Sequence, residues 1–469
     1  MTFNAMQQAS ALNRHSTRAA SRAAAIVLLA AACSDPTLPD FNNPQLPPSI
    51  PSQVKLEEQV TGMIAGDREQ HAFFILVLET MGRDAYRIDG ADPRYIQQPL
   101  GQFSPGAFLV DFTWNSTYRT IRGAQLLAAG VQNSTAFTAG EKAGAAGFAR
   151  TIQGLEYIKL IETRDSLGVP IATASGALDP ISCKPKVLTY TSALLDSAAT
   201  DLAAGGTAFA FGLPAGFSGF TTPAAFLKFN RALAAKVHIY RGFQNFKAAG
   251  SPVDAVELNA ALTALDASFY SANPTDFRVG VYHTYSTSSG DLLNVNFSRD
   301  VIRANPKVLN QADAGDQRLS KIQQDPSFQK ALPDNSAVSD IIFLNITGPT
   351  TPLPIIIDEE LVLMRAEALW GLNRDAEALA LSNLVRQNSG GLAPRTLGSF
   401  PTRLDIIREI LKQKRYSLLF ESGDRLVDYR MFGLYSELGA ELQPPVPGPQ
   451  VIPFPSSEAN ARDGNLACQ

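Results

Sequence analysis

Few side chains in this 469-residue chain are of the types that do catalysis. Its four histidines, His15, His71, His238 and His283, stand far apart in sequence. No H-E-x-x-H, paired C-x-x-C, G-x-S-x-G or P-loop pattern supplies a metal site, a nucleophile or a phosphate cradle. His71 and His238 lie in apolar, helical surroundings, where a hydrogen-bonded core imidazole is the expected state. Binding chemistry is better represented. The stretches "MGRDAYRIDGADPRYIQQ" (81–98) and "VYHTYSTSSGD" (281–291) mix tyrosines with charges, amides and hydroxyls. Such loops combine ring faces for stacking with groups that hydrogen-bond a polar ligand. No helical partner competes for them, so Tyr86, Tyr282 and Tyr285 are the aromatic candidates, on loops around 83–97 and 277–300.

The three cysteines divide by position. Cys33 follows the apolar run Ala23–Ala32, itself preceded by Arg14, Arg18 and Arg22 without an acid, the layout of a secretory signal peptide. Ten apolar residues are too few to cross a bilayer, which takes about 20. Small residues before Cys33 resemble a bacterial lipobox, with Ala30 where leucine is preferred, so Cys33 is expected to become the lipidated first residue of the mature chain. Residues 33–51 then read as an extended tether, with Pro36, Pro39, Pro44, Pro47, Pro48 and Pro51 holding the body clear of the lipid. Cys183 and Cys468 are the two left over, and in an exported domain they are expected to form a disulfide.

Removing residues 1–32 takes away three arginines and no acid, leaving 37 basic against 44 acidic residues and a net charge of −7. No basic field exists to attract nucleic acid. With 45% apolar and 18% charged residues the remainder is globular, and residues 52–469 suffice for one large domain.

Helical periodicity dominates what must position the candidates. Trp114, Tyr118, Ile121 and Gln125 form one stripe. Thr138 and Glu141 form a capping box ahead of Phe148, Ile152, Leu155, Ile158 and Ile161, while Gly144 and Gly147 admit a neighbouring backbone; this helix is expected to end near Gly168 and Pro170. Thr222-Pro223 opens a helix that Gly250 should close, and Ser251-Pro252 should open the next, a helical hairpin. Further helices are expected over 358–372, 374–386 and 402–420, the last capped by Thr402 and Asp405. Between 270 and 350 no helical period persists, which marks a functional or irregular insertion.

Five segments, in order, carry a resemblance: "WNSTYRTIRGAQ", "EKAGAAGFARTIQGLEYIKLIETRDSLGVPI", "LVLMRAEALWGLNRDAEALALSNLVRQ", "ILKQKRYSLLFESGDRLVDYRMFG" and "VIPFPSSEANAR". Together with the lipobox they resemble the hallmarks of the RagB/SusD family. That resemblance implies an all-α fold of tetratricopeptide-like helix pairs in an α-superhelix, with irregular insertions forming the ligand face. It implies a non-enzymatic, surface-exposed outer-membrane lipoprotein that captures an oligosaccharide or peptide and passes it to a TonB-dependent transporter, with no cofactor or metal. Carried over from the family's starch binders, it points to Arg83, Asp84, Tyr86, Trp114 and Asn115. The alternating charges Arg415, Glu421, Arg425, Asp428 and Arg430 read instead as helix packing, and Trp370 as core. Two other readings stay open, a tethered helical scaffold for protein partners and, behind it, a glycoside hydrolase whose paired carboxylates leave no sequence signature.

Overall fold

The computed structural model describes residues 49–89, 103, 106–173, 178–248, 250–332, 335, 337–439 and 451–469. Cys33, the tether up to residue 48 and the loop 90–97 lie outside them. The described residues belong to the unit Ser49–Gln469.

Ile50, inside the segment read as tether, is packed into the fold. Ile50 is 1% exposed and donates its N–H to the Gly130 carbonyl at 3.0 Å. Helix α1 (Gln53–Met81) follows, with Ser52 as N-cap, and leads into strand β1 (Ala85–Arg87). Then come α2 (Phe108–Gln132) and α3 (Ala139–Arg164), the latter with the expected Thr138–Glu141 capping box. Strands β2 (Val169–Pro170) and β3 (Ile181–Ser182) pair antiparallel ahead of α4 (Lys184–Ala203). Helices α5 (Pro223–Gly242) and α6 (Ala255–Asp266) form the expected hairpin.

The insertion contains β4 (Gly280–His283), β5 (Ile302–Ala304), α7 (Pro306–Asn310), β6 (Ile322–Gln324), β7 (Lys330–Ala331), β8 (Val338–Ser339) and β9 (Ile341–Phe343). Strand β10 (Leu353–Ile357) returns the chain to α8 (Asp358–Gly371), α9 (Asp375–Asn388), α10 (Arg403–Ser417), α11 (Asp424–Met431), α12 (Tyr435–Gly439) and α13 (Ser456–Ala461). Among the described residues every sheet has two antiparallel strands, so the fold is all-α with small irregular β insertions.

Each of α1 to α6 packs on the next, α6 on α8, and α8 to α11 continue the series until α11 meets α1. Glycines set the closest approach. A side chain at Gly147 would stand 2.9 Å from the Ala198 carbonyl, so the backbones of α3 and α4 come close together there. One apolar core fills the helix stack, and a second lies between the C-terminal half of α1, α10, α11 and strands β1, β5, β6 and β9.

Three boundaries differ from the periodicity reading. Helix α5 stops at Gly242 and α6 starts at Ala255, with Asp254 and not Ser251 capping it through the N–H groups of Val256 and Glu257. One residue, Val253, separates Ser251-Pro252 from the true cap, and the Asp254 carboxylate satisfies two orphan donors. Helix α10 ends at Ser417, because Phe420 takes a φ of 58°, a left-handed conformation no helix can contain. Helix α4 was not anticipated, although Val187, Leu188, Thr191, Leu195, Ala198 and Leu202 form a buried stripe at helical spacing.

Candidate functional site: an open aromatic cleft

Histidines far apart in sequence come together in the interior. His71 on α1 and His283 on β4 approach with ring centroids 5.0 Å apart. His283 Nε2 lies 2.8 Å from an Asp67 oxygen, and Asp67 also takes the Lys159 ammonium. Gln70 donates to Glu156 at 2.6 Å and accepts from Thr117 at 2.6 Å. Burial, the largest influence, together with the Lys159 charge, holds His71 well below the usual imidazole range. Lys159 and His283 hold Asp67 well below the usual carboxylate range although burial opposes this. The arrangement resembles an acid–base pair, yet Asp67 and His283 are each 1% exposed. No substrate reaches them; their product is a fixed junction of α1, α3 and β4.

A second buried network continues beside it. Lys236 meets Glu162, Glu360 and Asp424 at 3.1–3.2 Å, and Lys414 meets Glu367 and Asp428 at 3.0 Å. Burial pushes Glu360 up to about 7, whereas Asp424, buried as deeply, lies at about 2 because both lysines attract it. The charges of the C-terminal segment serve packing as expected. Arg415 and Arg425 hold Asp84 at 2.7 and 2.9 Å, Arg278 grips Glu421 bidentately at 2.7 and 3.2 Å, and Arg430 donates to the Glu162 carbonyl.

Accessible chemistry lies elsewhere, in an open cleft of about 590 Å³. Its floor is the turn Ala215–Phe217, which crosses β4 so closely that a side chain at Gly216 would stand 2.0 Å from the Tyr282 carbonyl. Its walls are Phe220, packed edge-on against Phe269 at 5.1 Å, with Tyr282, Arg278 and Lys228. The Tyr282 hydroxyl donates to the Arg278 carbonyl at 2.5 Å, so the ring is held in place while part of it stays open. Burial raises the Tyr282 phenol above its usual range, keeping it a neutral hydrogen-bonding group. Aromatic rings beside a guanidinium and an ammonium can stack on a ring-shaped ligand and bond its hydroxyls. The cleft volume lies within the usual range for small-ligand sites.

No family model matches the chain, and no curated protein matches it by sequence. Solved structures do. Surface glycan-binding protein A from Bacteroides thetaiotaomicron is similar with a TM-score of 0.66 at 12% identity, covering 89% of this chain and 99% of its own. A SusD superfamily protein from the same species has a TM-score of 0.63 at 17% identity, covering 87% and 98%. The protein NanU of B. fragilis has a TM-score of 0.59 at 14% identity, covering 88% and 95%.

The fold is SusD-like.

Within that SusD-like fold the residues singled out from the sequence part company. Arg83, Asp84, Tyr86, Trp114 and Tyr285 are all less than a tenth exposed and none of them lines the aromatic cleft, which corrects the expectation that they rim this site: each is taken up by packing inside the fold. Arg83 takes a φ of 64° at the end of α1 and donates to the Thr80 carbonyl. Tyr86 lies on β1 opposite Arg303, packed with Ile88, Leu332 and Ala337. Trp114 is sandwiched by Tyr118, Phe454 and the Arg164 guanidinium, and Tyr285 belongs to the second core. Asn115 is exposed on α2, and Tyr282 alone of the set lines the cleft. Trp370 is core, as its spacing indicated. Phe220, Phe269, Arg278 and Lys228 were missed. The one signal was "AGFSGF" (215–220), whose glycines and aromatics announce a tight turn with ring faces.

Proposed function

We propose that the chain is a RagB/SusD-family lipoprotein which captures a glycan at the surface of the outer membrane and passes it to a TonB-dependent transporter. The observation that carries the reading is the cleft itself, an aromatic and cationic wall set on a SusD-like fold. Cys33, if lipidated, gives the protein its place, and the proline-rich segment after it gives reach. The insertion supplies Tyr282 as stacking platform and Arg278 as a hydroxyl partner, and Lys228 joins them from α5.

Calorimetry on a panel of neutral glycans and peptides tests the binding. A glycan that binds the wild type and binds Tyr282→Ala more weakly is the expected result; binding by peptides alone would favour a peptide carrier or scaffold. Labelled palmitate tests the anchor, with incorporation expected in the wild type and lost in Cys33→Ser. Co-purification with a barrel transporter tests delivery.

A further inference from the structure

A second open cleft, of about 440 Å³, lies between α7, α10, α11 and α12, away from the residues of the aromatic one. Arg408, Lys412 and Arg415 project into it from α10 at i, i+4 and i+7, one face of the helix. Lys307 of α7 and Arg425 of α11 add two more cations, and Glu437 is the one carboxylate in the lining. This is a marked local excess on a chain with 44 acids against 40 bases.

Arg408 pairs with Asp405 and with Glu437, each at 3.0 Å, and the other nearby carboxylates are shared. Asp84 serves both Arg415 and Arg425. Asp313 serves Lys412 at 2.6 Å, Arg395 at 3.5 Å and also Arg386; partial burial works against its ionisation, but hydrogen bonds from Lys412 and Arg386 hold its pKa at about 2. The Lys307 ammonium meets no carboxylate among the described residues. Arg415 is anchored by Asp84 and by Gln311 at 2.6 Å, so its guanidinium is fixed before any ligand arrives.

We propose that this cleft binds the oxyanion group of an acidic saccharide, a carboxylate or a phosphate ester on a sugar ring. The exposed Arg408 guanidinium can meet the oxygens of such a group and the Lys307 ammonium adds charge without demanding geometry, while Arg415 and Arg425, held by Asp84, add fixed positive charge behind them. Tyr429, with the Arg425 guanidinium over its ring at 5.1 Å, offers the sugar a flat wall. The saccharide part of the assignment rests on the glycan-binding reading; the oxyanion part rests on the cations alone.

The test is calorimetry on the mature protein with glucuronic acid, glucose 6-phosphate, glucose and inorganic phosphate, at low and high salt. Both acidic sugars, or one of them, should bind more tightly than glucose, and less tightly as salt rises. The double variant Lys307→Ala/Arg408→Ala removes partly exposed side chains outside the apolar core, at the loss of the Arg408 pairs with Asp405 and Glu437; it should weaken that binding about tenfold while its melting temperature, measured alongside, stays close to that of the wild type. The exposed Lys55→Ala on α1 controls for loss of charge in general. Which acidic sugar binds distinguishes carboxylate from phosphate ester. Equal affinity for glucose and the acidic sugars, or undiminished binding in the double variant, overturns the proposal. Inorganic phosphate binding with neither sugar binding overturns it too, leaving an adventitious ion only. Acidic sugars that bind a protein inert to every neutral glycan would leave this site standing and remove the reading of the aromatic cleft.

Discussion

Arg278 and Lys414 are both cations that answer carboxylates, yet Arg278 is 41% exposed at the mouth of a cleft while Lys414 is 4% exposed between Glu367, Asp424 and Asp428. The same contrast separates Tyr282, half-buried with part of its ring open, from Tyr240, whose hydroxyl is spent on Glu162 deep in the stack. In the interior each charge is consumed by its partners and fixes how helices meet. At the cleft Arg278 is anchored by Glu421 and Tyr282 by the Arg278 carbonyl, and part of each side chain stays exposed. Burial, not residue type, divides the two roles.

The largest test of that division is Lys414→Met. It leaves Glu367, Asp424 and Asp428 without their shared cation, and the urea midpoint should fall by the equivalent of about 3–5 kcal/mol, the usual cost of stranding a buried charge. A variant as stable as the wild type would mean the network contributes nothing. Next is the bond between Cys183 and Cys468, which ties the N-terminus of α4 to the end of the chain. Reduction should cost about 2–4 kcal/mol, and thiol titration of the unfolded, unreduced mature protein should find none free. Across the divide, Tyr282→Ala should lower glycan affinity by about 1 kcal/mol while leaving the melting temperature nearly unchanged. Lost stability with unaltered affinity would place Tyr282 with the interior.

The smallest effect is one of pH. His71 donates from Nε2 to the Pro354 carbonyl at 2.8 Å and is held neutral, its folded pKa below the ordinary 6.5. The unfolded chain therefore binds that proton more readily, so the stability His71 supplies is complete above about pH 6.5 and is lost as the pH falls below it. Glu79 and Glu156, raised mainly by burial, act in the opposite sense. Melting between about pH 7.5 and 5.5 should consequently show a smaller fall for His71→Gln than for the wild type, and equal slopes would assign the titration elsewhere.

Much of the fold was legible because helices declare themselves locally. The Thr138–Glu141 box, the Thr222-Pro223 start and the stripes of α3 and α5 needed only neighbours within a few residues. The pairing of Cys183 with Cys468 was legible for another reason: with Cys33 read as the lipidation site, these were the two cysteines left. The site was not legible in this way. Tyr86, Tyr282 and Tyr285 sit in similar polar, irregular contexts, and only the long-range pairing of β1 with β5 and of β4 with β10 buries the first and leaves the second at a cleft. A strand's register decides which face each residue takes, and that register is set by a partner far away in the chain.

What the sequence determined by itself, then, was the helical architecture, the disulfide partners and the packing role of the charge-rich C-terminal segment, since each depends on local period, residue chemistry or elimination. Tertiary structure alone decided that His71 and His283 meet, that Trp114 lies under Arg164, and that Phe220 and Phe269 join Tyr282 around one opening. These are contacts between elements, made by chain segments up to 212 residues apart for the two histidines, and no local pattern encodes them.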